Sequence, residues 1–207
     1  VRSALLNASI EGAFNAATGA MTGKLEADGR SLRKLLAWIG SPLGEGGGFG
    51  AFRVSSQLAH EGPRTALNEL SLHLDAIDAR GSLNLITQES GRLRVTGALN
   101  AASVDVNPYL PAPAQGAAQG VEVDTAWPTT PLDLSGLRAL DANLDLTLGS
   151  LKFQRMSFAD VALALRVANG AADARLSRIS LYEGAGTARL IADGSGAVSR
   201  VAVEIDA

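Results

Sequence analysis

The residue types that carry most enzyme chemistry are sparse in this chain, and their spacing keeps them apart. Its two histidines, His60 and His73, stand 13 positions from each other. A zinc site draws three or four close donors, and no cluster of His, Cys and carboxylate forms around either. His73 falls on the polar phase of an alternating run, which points it to solvent. There is no cysteine, so thiolate metal sites and disulfides are excluded. The stretch from Gly19 to Leu25 (GAMTGKL) has the look of a phosphate loop but fails it. Its glycine spacing is one residue short, Leu25 stands where a hydroxyl residue is required, and no helix opens there. Gly44 to Gly50 (GEGGGFG) lacks the dinucleotide spacing and leads into a strand instead of a helix; it reads as a flexible loop. Carboxylates are scattered over strand ends and polar phases, with no pair singled out for acid–base work. No serine sits in a G-x-S-x-G elbow. The expectation is a protein that is not an enzyme, with no catalytic residue, metal or cofactor.

Composition narrows the remaining classes. Of 207 residues, 46% are apolar but only 4% aromatic, and the net charge is −3. Leu, Val, Ile and Ala must therefore build the core, and the apolar content argues against disorder. Sugar- and base-stacking modules are disfavoured, because only Trp38, Trp127, Tyr109 and Tyr182 could stack through an indole or phenol. The three lysines (Lys24, Lys34, Lys152) lie far apart, whereas nucleic-acid binding needs clustered positive charge. No apolar run approaches the roughly 18 residues of a spanning helix. Val1 is not an initiator, and Arg2 to Ile10 reads as the approach to a strand. Any leader or membrane anchor is expected outside this segment.

What the apolar residues do show is period two. Phe52, Val54 and Leu58 alternate with Arg53, Ser55 and Gln57. Leu70, Leu72 and Leu74 alternate with Ser71, His73 and Asp75, and Leu83, Leu85, Leu93 and Val95 follow. The second half repeats the theme in Leu144, Leu146, Leu148, then Val161, Leu163, Leu165 and Val167, and ends on Val201, Val203 and Ile205. Turn signals recur about every ten residues, as consecutive antiparallel strands require. Asn169-Gly170 is the clearest, suited to a type I′ hairpin; Asp28-Gly29, Glu61-Gly62-Pro63, Ser90-Gly91, Glu183-Gly184 and Asp193-Gly194 are weaker.

One block has helical spacing. Ser31 to Gly40 (SLRKLLAWIG) puts Leu32, Leu35, Leu36 and Ile39 on one face, with Ser31 as N-cap and Gly40 and Pro42 as stop. It is expected to cover one end of a sheet. The fold class is all-β: mainly antiparallel, an extended or curved sheet of repeated hairpins, with this one short capping helix.

The Pro/Ala/Gly/Gln stretch from Pro111 to Gly120 reads as a mobile connection. It divides the chain into a first β unit (1–110), a linker (111–126) and a second β unit (127–207), which together could form one continuous sheet. The halves resemble each other: Leu67 to His73 (LNELSLH) aligns with Leu176 to Tyr182 (LSRISLY), and such repetition favours a sheet extended by added hairpins.

Several blocks resemble the AsmA family of Gram-negative envelope proteins. They are the helix block Ser31–Gly40, the run Leu99 to Leu110 (LNAASVDVNPYL), and Trp127 followed by Pro131 to Leu137 (PLDLSGL) and Asp141 to Leu146 (DANLDL). Ser180 to Gly184 (SLYEG) is similar to the family's L-Y-G-G element, with Glu183 where glycine is usual. The likeness spans residues 22 to 195. It implies a periplasmic all-β body tethered to the inner membrane through a segment outside this chain. It also implies a role in outer-membrane biogenesis, with phospholipid carried between the two membranes along an apolar groove.

A strand with one apolar phase must bury it, against a second sheet in a sandwich or against a lipid chain in an open sheet. Each acyl methylene withdrawn from water gains about 0.8 kcal/mol. The candidates for such a groove are Leu144, Leu146, Leu148, Val161, Leu163, Leu165 and Val167, followed by Leu70, Leu72 and Leu74. The expected partner is a phospholipid or other acyl-chain lipid. The alternative is a rigid scaffold that docks envelope assembly proteins through its edges or the Ser31–Gly40 helix.

Overall fold

A computed structural model describes residues 3, 5–38, 40, 43, 47–110, 135–138, 140–181, 184–196 and 199–206. Eleven strands form one sheet in strict chain order. They are β1 (Asn7–Phe14), β2 (Met21–Gly29), β3 (Phe52–Glu61), β4 (Arg64–Leu74), β5 (Ile77–Thr87) and β6 (Leu93–Asp105), then β7 (Leu140–Phe153), β8 (Met156–Ala168), β9 (Ala171–Leu181), β10 (Gly184–Asp193) and β11 (Arg200–Asp206). Among the described residues there is one α-helix, α1 (Leu32–Trp38), between β2 and β3. Among the described residues no second sheet packs on either face, so the architecture is an open single layer and not a sandwich.

Nine of the ten pairings are antiparallel; β6 and β7 pair in parallel. A parallel step needs a connection of a dozen or more residues to return the chain to the starting end, and residues 106–139 supply it. The ladder from Leu93–Leu140 to Asp105–Lys152 makes one sheet of the two expected β units. The expected linker at 111–126, Trp127 and Pro131–Leu134 lie outside the described residues, as do Pro42, Gly44, Tyr182 and Glu183.

The hairpin signals hold at most sites. Asn169 and Gly170 take φ of 53° and 82°, the paired positive values of a type I′ turn, and join β8 to β9. Gly62 and Gly91 turn with positive φ between β3 and β4 and between β5 and β6. Asp28-Gly29 is not a turn: both residues pair with β3, opposite Arg53 and Phe52. Gly29 is needed there for space, since a Cβ would lie 2.5 Å from the Phe52 ring. Phe52 can therefore bury itself against the strand beside it.

Helix α1 is tied to the sheet at its start. Leu32 and Arg33 donate their N–H groups to the carbonyls of Gly50 and Phe49. The Arg33 guanidinium stacks over Phe49 and donates to the Gly47 carbonyl at 2.8 Å. Phe49 meets Tyr109 edge-on, and the Tyr109 hydroxyl donates to Asp75 at 3.0 Å. Burial and the adjacent Asp75 carboxylate push that hydroxyl up to about 12. The helix thus caps the end of the sheet at the β4–β5 turn, while Trp38 at its far end is exposed.

Candidate apolar groove

Cross-strand partners in a sheet share a face, so the register alone places side chains. One row runs Gly12, Gly23, Leu58, Leu67, Leu83, Gly97, Leu144, Leu165, Ala174, Leu190, Val203, crossing all eleven strands. Beside it Leu70, Gly81, Leu99, Leu146, Leu163, Leu176, Ala188 and Ile205 are opposed in turn. A third row joins Ala27, Val54, Leu72, Ala79, Ala101, Leu148 and Val161. At 4.7–4.9 Å per strand, ten inter-strand steps make the full row roughly 48 Å long. The three rows form one continuous aliphatic face.

All ten nominated residues fall on this face, but they divide in two. Val161 is wholly enclosed, and Leu70, Leu148 and Val167 are buried; their surfaces are already taken by protein. Leu72, Leu74, Leu144, Leu146, Leu163 and Leu165 are only half-buried, and they present the accessible part. A flat layer cannot enclose a valine, so the sheet must curl where Val161 sits. Ala79, Ala101 and Leu148 surround it, and Leu72, Leu176 and Phe158 pack against that group from strands β4, β9 and β8. A β-bulge between Ala159 and Ala162, with Asp160 at φ 51°, bends β8 at this place. A second bulge at Leu67–Leu70, with Glu69 at φ 51°, does the same for β4. Ser56, buried on the same face, leaves its hydroxyl without a hydrogen-bond partner.

Sequence reasoning missed Leu99, Leu176 and Leu190 as members of the path. Their signal was present in the alternation, but only the register shows that they continue the Leu146–Leu163 and Leu144–Leu165 pairs. The apolar face also stays exposed at both edges: Ile10 and Phe14 on β1, and Val201, Val203 and Ile205 on β11.

The opposite face is polar. Asp173 accepts from Arg189 at 2.8 Å and from Arg175 at 3.0 Å, and these two cations hold its carboxyl far below the usual carboxylate range. At the β6–β7 seam, Asp141 is buried and accepts from Gln88 at 2.7 Å and Arg92 at 2.5 Å. The Gln88 hydrogen bond, with Arg92 and Arg94 adding attraction, holds this carboxyl below its ordinary value. Because Gln88 and Arg92 belong to the β5–β6 turn, this cluster fastens the first residues of β7 to the preceding half. Three shallow depressions of about 420, 360 and 400 Å³ draw much of their lining from this polar phase, including Asn84 and Thr96, Arg175 and Arg189, and Asn143 and Arg166. The second also takes in Leu176, Ala188 and Ile205 of the second aliphatic row, and the third takes in Val167.

His60 shares a hydrogen bond with Thr65 at 2.9 Å, and His73 pairs with Asp78 at 2.8 Å across a hairpin. Among the described residues no group of three His, Cys, Asp or Glu side chains could hold a metal ion, and no helix is long and apolar enough to cross a membrane. No family model, curated protein or solved structure matches the chain.

Proposed function

We propose that this chain is a non-enzymatic, periplasmic segment of an AsmA-like envelope protein, and that its aliphatic face holds the acyl chains of phospholipid in transit between inner and outer membrane. The observation that carries the reading is the continuous aliphatic face, on which Leu144, Leu146, Leu163 and Leu165 remain only half-buried because no second layer covers the sheet among the described residues. Soluble monomers rarely leave an apolar patch of more than a few hundred Å² open unless something binds it. The half-buried leucines suit a ligand without oriented polar contacts, because aliphatic surfaces hold a methylene chain through area alone. A chain that must slide needs such a surface, with no hydrogen bond to break at each step.

The test is lipid content. Protein purified without detergent from a Gram-negative host is extracted, and its lipids are identified by mass spectrometry. Co-purified phospholipid in near-stoichiometric amount is expected. Lipid-free protein that also fails to take up phospholipid from vesicles overturns the reading.

A second reading, a scaffold for envelope assembly proteins, is favoured by exposed Trp38 on α1. It predicts that lipid-free protein still binds such partners.

A further inference from the structure

We propose that the depression on the polar face of β6, β7 and β8 is an anion site that takes a phosphoryl group, with Arg94 and Arg166 as its cationic walls. The inference concerns the face opposite the aliphatic rows and stands apart from what those rows hold.

The register brings the site together. Arg94 on β6 stands opposite Asp141 on β7. Two residues further along the same face, Thr96 stands opposite Asn143, which in turn opposes Arg166 on β8. All five line one depression of about 400 Å³. At 4.7–4.9 Å per strand and about 3.3 Å per residue, the Cα atoms of Arg94 and Arg166 lie about 12 Å apart. Two arginine side chains bridge that gap from opposite sides, over the strand positions of Thr96 and Asn143.

The charges suit an incoming anion. Asp141 is the one carboxylate in this lining. It is buried, and its two oxygens already accept from Gln88 at 2.7 Å and Arg92 at 2.5 Å. Arg94 makes only long contacts, 3.8 Å to Asp141 and 3.4 Å to Gln88, which leaves most of its donors unused. Arg166 is exposed, and among the described residues its guanidinium has no ion-pair or hydrogen-bond partner. The carboxylate across the ladder from it, Asp173, is taken by Arg175 and Arg189. Asp145, two residues beyond Asn143, falls in the next row, opposite Ala98 and Ala164. With Arg92 offsetting Asp141, Arg94 and Arg166 remain as uncompensated cations beside one hollow. A phosphoryl group answers this geometry. Its tetrahedral oxygens accept paired N–H groups from planar forks on two sides, and a hydroxyl and an amide supply further donors. A carboxylate has two oxygens in one plane and engages one fork.

The test uses the whole chain at about 0.15 M salt, where exposed charges are screened beyond about 8 Å. Titration calorimetry with glycerol 3-phosphate is expected to show saturable, one-to-one binding. Arg94→Gln and Arg166→Gln each weaken it about ten-fold, as the loss of a bidentate charged pair requires. Arg80→Gln removes the same charge from the same face, opposite Ser71 and Asn100, and leaves binding unchanged. Circular dichroism checks that each variant is folded. Cosedimentation with phosphatidylglycerol vesicles separates the sources. Capture that glycerol 3-phosphate displaces supports the site with a lipid headgroup as its ligand, and binding of the soluble ester alone supports it with a free phosphate ester. No saturable binding of either probe at millimolar concentration overturns the proposal. So does binding that ignores both Arg94→Gln and Arg166→Gln, or that Arg80→Gln weakens equally.

Discussion

The aliphatic path can be broken at its middle without touching the enclosed core. Leu146 and Leu163 face each other across β7 and β8, and both are half-buried. In the Leu146→Asp/Leu163→Asp double variant, two charges replace two aliphatic contacts on adjacent strands. An acyl chain lying over them would lose apolar contact along about four methylenes, worth about 3 kcal/mol at 0.8 kcal/mol each. That corresponds to roughly 200-fold weaker capture. The control is Thr147→Asp, which lies between Leu146 and Leu148 in sequence and on the exposed polar face of β7. Capture is read from the rise in emission of a phospholipid carrying an environment-sensitive acyl fluorophore, and folding from far-ultraviolet circular dichroism and a cooperative urea transition. The expected result is wild-type capture by the control and near loss in the folded double variant. Undiminished capture by that variant would show that the β7–β8 leucines lie off the path.

The enclosed part of the face should behave as core: Val161→Ala is expected to lower unfolding free energy by about 2 kcal/mol, against about 1 kcal/mol for half-buried Leu165→Ala, both by urea titration. Ser56→Ala removes a buried hydroxyl that has no partner and is expected to stabilise the fold by about 1 kcal/mol in the same assay. Asp173 contributes through its depressed ionisation. Its share of stability is therefore complete above the usual carboxylate range and fades as pH falls through and below it, so acid titration of wild type and Asp173→Asn should diverge at neutral pH and converge in strong acid. Asp141→Asn weakens the cluster with Gln88 and Arg92, and amide exchange should accelerate first in the β6–β7 ladder; uniform acceleration over all strands would contradict a local fastening.

The all-β class and the membership of the aliphatic face were legible because side chains on a strand alternate with period two. Leu144, Leu146 and Leu148 could share only one face, and Leu163 and Leu165 another such row. Whether that face closes against a second sheet was not legible, since the same alternation serves sandwich and open layer equally. The parallel seam was hidden because its cause is a long connection and not a turn signal. The enclosure of Val161 accompanies a bulge at Asp160; aspartate tolerates positive φ better than most residues, but that tolerance alone does not mark a bulge in mid-strand. Asp28-Gly29 misled for a related reason: glycine there admits the Phe52 ring instead of turning the chain.

The most direct measurement of whether the aliphatic face carries lipid is photo-crosslinking with a phospholipid that bears a diazirine midway along one acyl chain, followed by peptide mass spectrometry. Adducts should concentrate on Leu72, Leu144, Leu146, Leu163 and Leu165 and spare Asn143, Asp145, Thr147 and Arg166 on the polar phase. Adducts spread equally over both phases, or confined to α1 and the loops, would contradict the account.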